Sequence, residues 1–213
     1  MSDSPTPPKA KDLGKGAVGL IAFVLAFLAV RTFIQQSNEE KVVKAAAEKM
    51  ETMKAQAQRE KPDVPVAITM QENASKEATS KMNAESGIEK TNTAADMYFG
   101  FLYVNTSTRP AFCKAQGVEI PAWITAFERI HAAETARATQ NFANRGIDSK
   151  SFYAKLNDSF MKFIVLDMNG IATQYKLSLP DACKLFQDHA NELASAIELS
   201  KAQPAVYKAL MTQ

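Results

Sequence analysis

PAWITAFERIHAAETARATQNFANRG, Pro121–Gly146, is the stretch that decides the fold. Trp123, Phe127, Ile130, Glu134, Ala138 and Phe142 recur at steps of three and four, the period of an α-helix with one buried face. Proline stands in the first turn, where its missing N–H is harmless, and glycine stands at the end, where it closes a helix. The spacing therefore predicts one long amphipathic helix.

The flanking segments follow the same period. Before it, Tyr98, Phe99, Phe101, Leu102, Tyr103 and Val104 crowd a short helix that is apolar on nearly every side, expected to break at Arg109-Pro110. After it, a helix beginning near Ser149 carries Phe152, Leu156, Phe160, Phe163 and Ile164 and is expected to stop around Asn169-Gly170. Ser178-Leu-Pro-Asp181 has the form of a capping box, and the helix it starts carries Ala182, Phe186, His189, Leu193 and Ile197. Pro204 opens a last short helix with Val206, Tyr207 and Leu210. No two-residue alternation argues for strands, so residues 94–213 read as an all-α bundle of four or five short helices. About 120 residues are enough for one core.

Toward the N-terminus the composition changes twice. Residues 62–93 contain few large apolar side chains apart from Val64, Val66, Ile68 and Met70, which is the composition of a flexible linker. Residues 35–61 are rich in Ala, Glu, Lys, Gln and Met, good helix formers, up to the breaker Pro62. Val43, Ala46, Met50, Met53 and Ala57 mark a short coiled-coil seam, so this helical stalk reads either as a solvated single helix or as a weak homodimer contact.

The stalk is preceded by GAVGLIAFVLAFLAV, residues 16–30, fifteen residues without a charge. Carried through Arg31 to Ile34, a helix from Gly16 is about 28 Å long, enough to cross a bilayer. Arg31 near one end can reach the headgroups along its flexible stem. A transmembrane helix is expected over 14–34, with a disordered cytoplasmic tail over 1–13, where three prolines and several charges leave little to bury. A cleaved signal peptide is the competing reading. Cutting after Ala29 would put Phe27 where a small residue is wanted, so an uncleaved signal-anchor is favoured.

Lysines and arginine flank this run on both sides, and their count does not set the orientation. The cysteines do more. Cys113 and Cys183 are an even pair suited to one disulfide, which persists in oxidising compartments; two buried free thiols are the other reading. The expected topology is therefore a bacterial inner-membrane protein, N-terminus in the cytoplasm and C-terminal body in the periplasm.

Charge excludes one class of partner. The chain has 25 Lys and Arg against 23 Asp and Glu, and nothing resembles the concentrated basic face of a nucleic-acid binder. Glu128 and His131 make a Glu-x-x-His step and His189 and Glu192 the reverse step, the ligand types and spacing used by metal-binding bundles. A di-iron site needs two steps of the first kind and two more carboxylates. These four are candidate metal ligands only, and the sequence implies no cofactor and no reaction. Asp167, surrounded by apolar residues, is expected to pair with Lys162, Lys176 or a backbone N–H. Tyr98, Phe99, Tyr103, Phe112, Trp123 and Tyr153 exceed what one small core needs, so an exposed aromatic patch is a candidate binding surface, while for any one of them filling the bundle is the favoured reading. The function these features suggest is an accessory, scaffold or partner-binding subunit of an envelope assembly, with a membrane-tethered ligand- or metal-binding enzyme domain as the alternative.

Overall fold

A computed structural model of the chain describes residues 39–212, which are all-helical, with no strand among them. The expected tail, 1–13, and the expected membrane-spanning segment, 14–34, from Gly16 to Ile34 in its apolar part, lie outside the described residues. Among the described residues no helix is long and apolar enough to cross a membrane.

The chain begins with a helical hairpin. Helix α1 (Glu39–Glu60) turns at Lys61–Pro65 into α2 (Val66–Ala84). Lys49 pairs with Glu77 at 3.1 Å and Lys61 with Glu72 at 2.5 Å, an antiparallel register in which the start of α1 lies beside the end of α2. The seam, readable as solvated or as a contact with a second copy, is filled from within the chain: Ala46, Met50, Met53 and Ala57 are buried, and α1 packs on α2. Residues 62–93 are correspondingly no linker. Ala67, Met70, Ala74, Ala78 and Met82 are buried along one side of α2. Small residues at helical spacing add little hydrophobicity to a window of sequence, yet they let two helices approach closely and exclude water between them.

Two residues later α3 (Gly87–Tyr103) enters the centre of the molecule, packed by α2 and by elements from both later parts of the chain. The path does not break at Arg109-Pro110. It stays helical through one π-turn, Val104–Thr108, into α4 (Arg109–Ala115), and the Arg109 N–H reaches the carbonyl of Val104. A proline inside a regular helix leaves one carbonyl without its donor and collides with it. The wider π-turn just before Pro110 accommodates both problems. Gly117, at φ +79°, then ends α4, with the Val118 N–H returning to the carbonyl of Cys113 at 2.9 Å.

The long helix expected over 121–146 is two, α5 (Pro121–Ile130) and α6 (Ala132–Asn144), bent at His131. The next also divides, into α7 (Ser149–Ala154), capped by Asp148, and α8 (Asn157–Tyr175). Helix α8 runs past Gly170, where a side-chain carbon would meet Cβ of Pro65 in the hairpin turn at an ordinary contact distance of 3.8 Å. Its actual stop is Lys176, at φ 55°. Ser178 caps α9 (Leu179–Asp188) as foreseen, its hydroxyl accepting from the Asp181 N–H at 3.2 Å. A second bend, at His189, separates α9 from α10 (Ala190–Ala196), and α11 (Leu199–Ala202) and α12 (Pro204–Met211) close the chain against α3.

Candidate functional site

The four candidate ligands are not brought together. Glu128 and Glu192 are exposed, His189 is half-buried at its bend, and His131 is fully buried. Among the described residues no group of three or more His, Cys, Asp or Glu side chains is placed to hold a metal ion.

His131 instead explains the bend between α5 and α6. Its backbone, at φ −99° and ψ 19°, departs from helical angles while keeping its ladder bonds, the N–H to the Phe127 carbonyl at 3.0 Å and the carbonyl from the Thr135 N–H at 2.9 Å, and that carbonyl also accepts from Tyr98 Oη at 3.0 Å and Thr135 Oγ1 at 2.8 Å. The ring lies among aromatic faces, with centroids 4.4 Å from Phe127 and 5.3 Å from Phe101. Neither ring nitrogen has a hydrogen-bond partner. Burial therefore drives its pKa down to about 4, with the charge of Glu198 pulling weakly the other way. The carboxyl of Glu134, 4.0 Å from Nδ1, is pushed upward by its own burial. At neutral pH this is an uncharged ring acting as a core side chain.

The expected partner of Asp167 is corrected to Arg109. The Nη1 of Arg109 lies 2.9 Å from Oδ2 of Asp167, and both side chains are essentially without solvent contact, at 1% and 4%. Neither Lys162 nor Lys176 is needed. Asn105, in the π-turn, accepts from Nε of Arg109 at 3.3 Å, its own carbonyl accepts from the Trp123 indole at 2.9 Å, and the guanidinium stacks 4.5 Å from the ring of Phe186. Burial pushes the Asp167 carboxyl up and Arg109 opposes that. Sequence reasoning missed this pair because 58 positions separate the partners and the apparent break at Pro110 put Arg109 in a loop.

Beside this cluster Cys113 and Cys183 form a disulfide, Cα atoms 5.5 Å apart, both sulfurs out of water. It joins α4 to the first turn of α9 as the sequence foresaw. These aromatic side chains form no exposed patch and fill the bundle, the favoured of the two readings: Tyr98, Phe99, Phe112, Trp123 and Tyr153 are buried and Tyr103 is half-buried. Contacts such as Phe99 on Phe142, centroids 4.5 Å apart, show where they went. Their number fits because the core takes in the hairpin as well as residues 94–213.

An open concavity lies at the end of the molecule where α2 gives way to α3. It has a volume of about 360 Å³ and is lined by Met82, Asn83, Gly87, Lys90, Lys208 and Thr212 among others. Neither Lys90 nor Lys208 forms an ion pair among the described residues. Ile88, next to Gly87, is 68% exposed. Sequence reasoning passed over this place because Met82, Asn83, Gly87, Ile88 and Lys90 lie in the stretch read as a linker, while Lys208 and Thr212 come from the far end of the chain; a lone isoleucine in a polar run was the available signal. No known family, characterised protein or solved structure matches this chain.

Proposed function

We propose that this chain is a single-pass protein of the bacterial inner membrane whose helical body lies in the periplasm as an accessory or scaffold subunit of an envelope assembly. The observation that carries the compartment is the buried Cys113–Cys183 disulfide, a bond kept in oxidising surroundings and reduced in most cytosols. The uncharged run from Gly16 to Val30 supports the anchor. A rigid body held by a short tether raises the local concentration of whatever it meets at the membrane, which is the property a scaffold subunit exploits.

Topology and partner are tested together in intact cells. With the outer membrane permeabilised, external protease is expected to digest the body while the inner membrane is whole, and a maleimide-polymer is expected to label Cys113 and Cys183 only after reduction. Crosslinking in the membrane fraction should then yield a discrete adduct. A body protected until the inner membrane is broken would overturn the reading.

A further inference from the structure

The hairpin register fixes which end of the body faces the anchor. Six residues beyond the Lys49–Glu77 pair, Val43 on α1 stands at the level of Asn83 on α2, and α1 continues toward Glu39. Only Gln35, Gln36, Ser37 and Asn38 separate Ile34 from Glu39, a reach of at most about 18 Å. With 62–93 folded into the body, no long spacer lifts it from the bilayer. The end that carries the start of α1 carries Ile88 and the concavity between α2, α3 and α12 as well.

The surface there suits a lipid headgroup layer. Ile88 and Val165 are the large apolar side chains left in water among the described residues. Val165 belongs to the opposite end, five residues before Gly170, which meets Pro65 in the hairpin turn. Lys90 of α3 and Lys208 of α12 line a cleft whose remaining lining includes the polar residues Thr91, Thr212 and Asn83. The nearby acids are occupied: Glu85 pairs with Lys81 at 3.8 Å, and Glu89 is engaged within the fold. Amphipathic lysine heads beside one exposed aliphatic side chain are the arrangement that binds an anionic interface, the alkyl group entering the headgroup boundary and the cations meeting phosphates.

We infer that this end of the body docks on the outer leaflet of the inner membrane, Ile88 entering the interface and Lys90 with Lys208 holding the phosphate of an anionic phospholipid in the cleft. The inference rests on the anchored reading above. It makes the membrane a second binding surface, which fixes the body's orientation as well as its position.

The full chain is reconstituted in nanodiscs of phosphatidylcholine with or without phosphatidylglycerol, and an environment-sensitive dye is attached in turn to Leu20→Cys, Ile88→Cys and Val165→Cys. The expected result is that a lipid-borne quencher reaches the dye at 88 in phosphatidylglycerol discs, that it does not reach the dye at 165, and that Lys90→Gln and Lys208→Gln each weaken quenching at 88 about fivefold in the docking equilibrium. A quenched dye at 20 with an unquenched dye at 88 overturns the docking alone. An unquenched dye at 20 overturns the anchor and the docking with it. Quenching at 88 that is indifferent to phosphatidylglycerol and to both lysines overturns the assigned role of the cleft.

Discussion

The α1–α2 hairpin and the core around α4, α5 and α9 bury helices by opposite means. The hairpin closes on alanine and methionine, with its charged pairs at the rim: Lys49 with Glu77 and Lys61 with Glu72 keep between 30% and 44% of their side-chain surface. The second region closes on aromatic rings, a disulfide and an ion pair sealed from water. Small residues specify closeness but little else, since many registers of such a seam fit equally well. A buried polar pair specifies one arrangement, because every other leaves a charge without its partner. The molecule thus joins a seam of small and flexible side chains to a polar-keyed region within one continuous core.

The largest test of that contrast is Arg109→Met. It leaves the Asp167 carboxylate buried and alone, and unfolding free energy is expected to fall by up to about 5 kcal/mol. The double variant Arg109→Met/Asp167→Leu should recover most of that loss, which a denaturant titration of all three proteins would read. If the single variant is as stable as the parent, the pair does not govern the core.

Next comes the disulfide. Its loop spans 70 residues, and Cys113→Ala/Cys183→Ala is expected to lower stability by roughly 4 kcal/mol on the chain-entropy account. Thermal melting with and without reductant should show the same drop in the parent and none in the double variant.

His131 gives a smaller, pH-dependent effect. Its folded pKa is about 4 against 6.5 in the unfolded chain, so between those values the unfolded state binds the extra proton. Stability from this group is therefore complete above pH 6.5 and declines as pH falls toward 4, by about 3 kcal/mol in all. His131→Leu, close in volume, should remove that share of the slope and gain stability at pH 5. The difference between parent and variant across a pH series isolates it from the carboxylates, and parallel curves would show that His131 is not buried uncharged.

Legibility in the sequence follows the same division. The aromatic stripe of Trp123, Phe127 and Phe142, the Ser178 cap and the cysteine pair could be read because each is a local pattern or a rare residue type. The bends at His131 and His189 could not, since they depend on hydroxyls and helices brought from elsewhere, Tyr98 among them. Helix α2 was read as a linker because hydrophobicity per residue is a poor measure of helices that pack through alanine. The candidate ligands Glu128, His131, His189 and Glu192 have the spacing of helix faces, but Glu128 and Glu192 lie exposed while His131 is buried and His189 half-buried, and among the described residues no three such groups are placed to hold a metal ion.

The smallest expected effect is in the hairpin. Met50 is 1% exposed and Met70 2%, so either change to alanine removes buried volume. In a rigid core such a loss costs between about 2 and 5 kcal/mol, the upper figure where the surroundings cannot close up. Here flexible methionines and small neighbours can shift into the space, and Met50→Ala should sit near 2 kcal/mol. The loss should also be local. Amide exchange is expected to quicken along α1 and the facing side of α2 while α5 and α9 keep their protection, because the disulfide and the Arg109–Asp167 pair tie the second region together at points the hairpin does not supply. Uniform acceleration across both regions would mean the seam and the sealed core unfold as one unit, and the contrast between them would be one of composition only.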